Sequence, residues 1–193
     1  MSKTAEFEAP SWEQFYWLCL ELADRVKSSG YVPELMVGII RGGLVPLRIL
    51  SDEFDNVDLA TMRIVFYEDV KKTMTEPKII QKPAVPLKDR RILIVDDVAD
   101  TGSSLIVAND FLMENGAKEV KVATVYYKPW SKFRPDYFVK TTEKWIIFPH
   151  EKREAILTLS RRMLAEGIDR KEIRQRLIDF GLEPAVIDRC LTT

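Results

Sequence analysis

Ile92-Leu93-Ile94-Val95-Asp96-Asp97-Val98-Ala99-Asp100-Thr101-Gly102-Ser103-Ser104 is the stretch whose reading decides the fold. Ile92 to Val95 is an uninterrupted apolar run, which predicts a strand buried on both faces, as in a parallel sheet covered by helices. The run breaks off at Asp96-Asp97, so the strand is read as ending there, at the edge where open parallel sheets place their ligands. A Gly/Ser/Thr turn follows, and a helix is predicted from Gly102 or Ser103 to Asn115, with Gly116 as its left-handed cap. Backbone N–H groups, the positive end of the helix dipole and the hydroxyls of Thr101, Ser103 and Ser104 would surround a phosphate monoester. The carboxylates upstream are natural acceptors for sugar hydroxyls, so one loop could hold a ribose 5-phosphate at both ends. Taken as separate halves, the segment also fits an acidic strand end that binds Mg2+ or is merely solvated, followed by an ordinary helix cap.

Strand and helix alternate on either side of this stretch. Ser11 with Gln14 has the form of a capping box, and Phe15, Leu18, Cys19, Leu22 and Val26 recur at helical spacing until Ser28-Ser29-Gly30. Glu34 to Ile40 is a strand that ends at Arg41-Gly42-Gly43, and Leu44 to Leu50, with Pro46 near its start, is a short helix. Thr61 to Tyr67 is a strand with both faces half-buried. From Glu68 to Lys88, where Pro77, Pro83 and Pro86 fall, periodicity disappears and a long loop is expected. Val120 to Tyr127 and Trp145 to Phe148 are further strands, with a shorter extended piece at Tyr137 to Val139. The alternation predicts an α/β fold built on a doubly wound parallel sheet. After Pro149 three short helices are expected, at Glu151 to Glu166, Asp169 to Phe180 and Glu183 to Leu191. Residues 1–150 are therefore read as the core and 151–193 as a C-terminal helical extension.

Composition narrows the function classes. The chain has 193 residues, enough for one domain with an appendage at about 100–200 residues per domain. With 29 Lys+Arg against 30 Asp+Glu, no overall positive field steers it toward nucleic acid or an acidic membrane, so any anion must be held locally. Cys19 and Cys190 form neither a CxxC pair nor a secreted-type framework, which makes reduced thiols in the cytoplasm the expectation. Met1 to Pro10 is polar and acidic, and no stretch approaches membrane-spanning length, which argues against export and insertion.

The run of four apolar residues, Asp-Asp, two spacers, Asp, Thr-Gly and Ser-Ser resembles the signature of the type I phosphoribosyltransferases, which bind phosphoribosyl diphosphate (PRPP). The resemblance spans about residues 34 to 151 and implies that family's fold, a doubly wound parallel sheet with a small hood. By position, Asp96 and Asp97 match the pair that contacts the ribose hydroxyls. Ala99, Asp100, Thr101, Gly102, Ser103 and Ser104 match the 5-phosphate loop. Asp100 also matches the carboxylate proposed as general acid/base near the purine N7 in enzymes acting on 6-oxopurines. Gly38 to Pro46 looks like the diphosphate loop, with Arg41, Gly42 and Gly43 as its contacts and a peptide, often cis, before the first glycine. Glu68 to Lys88 lies where the family carries its mobile lid; Lys71, Lys72 and Lys78 fall in it without an assigned catalytic role.

Tyr126-Tyr127-Lys128-Pro129 and Trp145-Ile146-Ile147-Phe148-Pro149-His150-Glu151 resemble the base-binding segments of the hypoxanthine, xanthine and guanine enzymes. By that match Lys128 reads O6, Trp145 stacks on the base and the Ile146 backbone lies at its edge. The residue chemistry agrees, since an ammonium donates to a carbonyl and an aromatic plane stacks on a purine. The bland readings are a solvated strand end for Lys128 and core packing for Trp145. His150 stands where the relatives compared carry a Trp, and a lone His is more often a surface or hydrogen-bonded residue than a ligand.

The implied reaction displaces diphosphate from C1 of Mg2+-bound PRPP by a purine nitrogen and gives a nucleoside 5-monophosphate. Mg2+ would be held mainly by PRPP, with Asp96, Asp97 and Glu151 as candidate protein ligands. A homo-oligomer, dimer or tetramer, is the inherited expectation. The rival readings are an adenine enzyme on the same framework, a non-enzymatic PRPP-sensing regulator that reads nucleic acid, and a phosphotransfer protein using Asp96-Asp97 for Mg2+. The regulator needs a basic groove, and residues 151–193 hold nine Lys/Arg against eight Asp/Glu, which gives it little support.

Overall fold

The computed structural model describes residues 7–55, 57–67 and 76–192. They divide into two units, one made of residues 16–143 and the other of the residues up to Phe15 together with 144–193. Helix α1 (Trp12–Ser28) runs across that division in sequence. It opens on the predicted capping box, with the Gln14 N–H donating to Ser11 Oγ at 3.1 Å and the Ser11 N–H donating to Gln14 Oε1 at 2.8 Å.

The larger unit is built on a six-stranded sheet. Its strands are β2 (Leu35–Ile40), β3 (Asp58–Tyr67), β4 (Glu76–Gln81), β5 (Arg91–Ala99), β6 (Glu119–Tyr127) and β7 (Tyr137–Thr141), with α2 (Leu44–Ser51) and α3 (Ser103–Glu114) between them. The spatial order is β4-β3-β2-β5-β6-β7, and every pairing is parallel except β3 with β4. From β2 the chain proceeds outward through β3 to β4 and then returns to the other side of β2 as β5. Strand order therefore reverses between β2 and β5, and the crevice beyond their C-terminal ends is where such sheets bind ligands. Burial explains the apolar runs. Leu35, Val37, Ile39, Ile92 and Ile94 join a core with Leu105, Ala108 and Leu112 of α3, while Met36, Leu93 and Val95 on the alternate positions are fully buried too. Gly38 lies under α2, where a Cβ would come within 2.8 Å of the Leu47 side chain.

Three expectations are corrected here. The central strand does not end at Asp96: β5 continues to Ala99, with Asp96, Val98 and Ala99 in register with Thr124, Tyr126 and Tyr127 of β6. Ladder bonds are made by backbone, so the apolar run of β6 carries the pairing past the carboxylates. The stretch expected to be loop from Glu68 to Lys88 contains β4, antiparallel to β3. Pro77 lacks a ladder donor, and β4 is an edge strand, where that is tolerated. Lys78 therefore belongs to a strand, and the lid residues 68–75, with Lys71 and Lys72, lie outside the described residues. Finally, β3 begins at Asp58, and its faces are not alike: Met62 and Ile64 are in the core while Arg63, on the opposite face, is exposed.

In the second unit β1 (Phe7–Glu8) pairs in parallel with β8 (Trp145–Ile146), followed by α4 (Lys152–Ala165), α5 (Arg170–Asp179) and α6 (Pro184–Leu191). The strand expected over Trp145 to Phe148 is thus only two residues long, because its partner is itself cut off by Pro10. Ile156, Leu159, Met163, Ile173, Leu177 and Ile187 form the core of the three helices. Asp169 caps α5 by accepting from the N–H groups of Lys171 and Glu172. Arg174 makes a bidentate pair with Asp188 at 2.6 and 2.8 Å, and Lys152 reaches Glu183 at 2.6 Å.

Candidate active site

At the end of β5 the chain turns through Asp100-Thr101-Gly102 into α3. Gly102 is left-handed, with φ 78, and a Cβ there would meet Phe133 N and Ser131 Oγ at 2.6 Å, so both conformation and space require glycine. Ser103 N–H donates to Thr101 Oγ1 at 3.3 Å, and the first helical bond runs from Ile106 N to Gly102 O at 3.0 Å. The N-cap position is glycine, without a capping side chain, so beyond the Ser103 N–H the amides of Ser104 and Leu105 remain as donors for an anion. A cleft of about 450 Å3 lies over this turn, lined by Asp96, Val98 and the consecutive residues Ala99 to Leu105, with Phe66 from β3. All of the residues assigned to the 5-phosphate, and Asp96 of the ribose pair, therefore line one concavity.

The turn after β2 approaches the same strand. The peptide Ile40–Arg41 is cis, as the resemblance implied, and Gly43 N donates to Ile39 O at 2.8 Å. The two glycines serve close packing rather than unusual conformation: Gly43 has an ordinary φ of -70. A Cβ on Gly42 would lie 2.5 Å from Asp97 Oδ1, and one on Gly43 would lie 2.3 Å from Val95 O. The Arg41-Gly42-Gly43 turn thus lies against Asp97, which is only 5% exposed. Cys19 shares this region. Burial, and secondarily the charge of Asp97, pushes its thiol up to about 12, so it stays protonated and inert.

Lys128 enters from the neighbouring strand. Because Ala99 and Tyr127 are paired in the parallel ladder, the next residues of each chain, Asp100 and Lys128, leave the sheet side by side. Lys128 N donates to Ala99 O at 3.1 Å and Lys132 N donates to Thr101 O at 3.0 Å, which fastens the turn after β6 to the turn after β5. Lys128 is 5% exposed, so it is not a solvated strand end. Its ammonium lies 5.3 Å from the centre of the Trp130 ring, and Trp130 Nε1 donates to Asp100 Oδ1 at 3.1 Å. Sequence reasoning passed over Trp130; the available signal was an aromatic two residues after the lysine, just past the end of a strand.

The remaining residues fall in the other unit. Trp145 is 45% exposed on β8, which removes the core-packing reading, and its ring lies 6.3 Å from that of Phe7, which in turn stacks on Phe180 at 4.2 Å. Ile146 is buried with its backbone in the β1–β8 ladder. His150 packs among aromatics, 5.2 Å from both Phe15 and Phe148, and Glu151 precedes α4 at its N-cap.

The model of the phosphoribosyl transferase domain matches residues 11–153, which leaves α5, α6 and most of α4 outside it. Among curated proteins, the xanthine-guanine phosphoribosyltransferase of Cereibacter sphaeroides is 32% identical over 148 residues, covering 72% of this chain and 83% of that protein. Among solved structures, a purine phosphoribosyltransferase from Pyrococcus horikoshii is 36% identical with a TM-score of 0.68, covering 75% of this chain and 93% of that one. The xanthine-guanine-hypoxanthine phosphoribosyltransferase of Helicobacter pylori is 25% identical with a TM-score of 0.64, over 79% and 97%.

Proposed function

The chain belongs to the phosphoribosyltransferase family, and from that premise we propose that it transfers the 5-phosphoribosyl group of PRPP to a 6-oxopurine base, giving a nucleoside 5-monophosphate and diphosphate, a purine salvage reaction. The observation that carries the reading is the register of β5 and β6, which sets a carboxylate, Asp100, and a buried ammonium, Lys128, side by side above a turn shaped for a phosphate. Adenine is not favoured, since an ammonium cannot accept from an exocyclic amine. Two curated relatives, from Gluconobacter oxydans and Cereibacter sphaeroides, are xanthine-guanine phosphoribosyltransferases.

In this reading the amides and hydroxyls of Thr101 to Ser104 hold the 5-phosphate, Asp96 and Asp97 the ribose hydroxyls, and Arg41 with the Gly42 and Gly43 amides the diphosphate. Lys128 donates to O6, Asp100 manages the purine proton, and Trp145 with Ile146 contacts the base. The transition state is oxocarbenium-like, so the protein's task is to position the base and stabilise the departing charge. The carboxylate oxygens of Asp96 and Asp97 are hard donors that fit Mg2+, an ion that leaves most of its shell to water and phosphate oxygens; Glu151 is the third candidate ligand. When bound, Mg2+ would offset the charge of the diphosphate. We assign residues 1–150 to the catalytic core and 151–193 to an extension, and expect a cytoplasmic homo-oligomer; no helix among the described residues is long and apolar enough to cross a membrane.

Incubation with PRPP, Mg2+ and guanine, hypoxanthine or xanthine, followed by chromatography, should yield the matching monophosphate and diphosphate. Absence of product from all three bases would overturn the proposal.

A further inference from the structure

We propose that Trp130 is a positioning residue for the transfer reaction, holding the proton-handling carboxylate of Asp100 through its indole N–H and the base-reading ammonium of Lys128 over its ring. The inference rests on the roles given to Asp100 and Lys128 above, and adds a residue to which neither sequence nor family resemblance assigned a role.

Trp130 sits on a turn that is pinned at both ends. Ser131 N donates to Lys128 O at 2.9 Å and closes the turn, and Lys128 N and Lys132 N donate to Ala99 O and Thr101 O on either side of Asp100. Ser131 Oγ donates to Phe133 O at 2.9 Å, and Ser131 and Phe133 pack closely on Gly102. From this anchored backbone Trp130 Nε1 donates to Asp100 Oδ1 at 3.1 Å while the Lys128 Nζ stands 5.3 Å from its ring centre. Hydrophobic burial does not account for the residue, because Trp130 is 53% exposed. Its polar atom and its ring face are instead engaged by the two groups that would touch the purine.

The chemistry suits a positioner. An indole N–H donates and never accepts, so it cannot exchange a proton with Asp100. By occupying one carboxylate oxygen it fixes the rotation of the carboxyl and leaves the second oxygen for the substrate. The ring face attracts the Lys128 ammonium without neutralising its charge. One side chain thereby sets the spacing between the group that reads O6 and the group that handles the proton.

The test is steady-state kinetics with guanine on the full chain, comparing wild type with Trp130→Phe, Trp130→His and Trp130→Leu, and Asp100→Ala with the double variant Asp100→Ala/Trp130→Phe. Trp130→Phe keeps a ring and loses the donor: kcat should fall about fivefold while the KM values for guanine and PRPP stay within about twofold. Trp130→His, which regains a ring N–H, should recover part of that loss. Trp130→Leu, which also removes the platform for Lys128, should in addition raise the KM for guanine severalfold. In the Asp100→Ala background, Trp130→Phe should change kcat no further, because the interaction it breaks is already absent. A merely structural role would give the same fold-loss in both backgrounds, and either that result or a wild-type kcat in Trp130→Phe would overturn the inference while leaving the transferase reading intact. Lack of turnover by the wild type would overturn the transferase reading itself, and this inference with it.

Discussion

The turn after β5 and the turn after β6 leave adjacent rungs of one ladder, yet they are built in different ways. The first, Asp100 to Ser104, offers an anion its backbone amides, a left-handed glycine and three hydroxyls, all within five consecutive residues. The second, Lys128 to Phe133, works through side chains whose partners are supplied by the first turn, at Asp100 and around Gly102. In the proposed reading, phosphate recognition would thus be written in one contiguous stretch, whereas base recognition would depend on register between two strands that are separated by a whole helix.

The hardest blow to this contrast is Asp100→Ala. If the carboxylate handles the proton, kcat should fall by about 10²–10⁴-fold while the KM for PRPP stays within about threefold, measured by steady-state kinetics. Equal loss in both parameters would make Asp100 part of the phosphate turn and erase the division of labour. Lys128→Ala probes the other turn: it should raise the KM for an oxopurine about tenfold, leave the KM for PRPP unchanged, and spare any slow reaction with adenine. An unchanged ranking of bases would remove Lys128 from recognition.

Gly102→Ala should injure both turns at once. The new Cβ must adopt a left-handed backbone and push on Phe133 and Ser131, so the thermal midpoint should drop by roughly 2–8 °C and PRPP titrated by calorimetry should bind more weakly. Unaltered PRPP affinity would show that the two turns do not share this hinge point.

The smallest effect belongs to the helical extension, which serves as a control. Lys152 beside Glu183, and Arg174 beside Asp188, hold these carboxyls below their ordinary values of 4.5 and 3.8. A carboxyl whose pKa is lowered by folding stabilises the fold above its unfolded value, and that contribution is lost as pH falls through the lowered one. Circular dichroism melts should therefore show the extension loosening slightly as pH drops below about 4.5, and Asp188→Asn should flatten part of that fall. PRPP affinity above that range should not differ between Asp188→Asn and the wild type.

What could be read from sequence follows the same contrast. The parallel core was legible because strands buried on both faces are written as apolar runs, such as Ile92 to Val95. The turn from β5 into α3 was legible because its glycine and hydroxyls are contiguous. Where hydrogen bonding overrides side-chain character, periodicity failed: β5 runs on through two aspartates, and β4 is an edge strand that tolerates Pro77. Phe7, which backs Trp145, belongs to a two-residue strand too short to show any period. Trp130 was missed because its role is defined by Asp100, 30 residues away in the chain.

The most direct test offers hypoxanthine and adenine together, at equal concentration, with PRPP and Mg2+, and separates the two monophosphates in one chromatogram. If the buried ammonium of Lys128 meets O6 beside the Asp100 carboxylate, the hypoxanthine product should dominate by at least about tenfold. Adenosine monophosphate in equal or greater amount would contradict the pairing of Lys128 with Asp100 as the reader of the base.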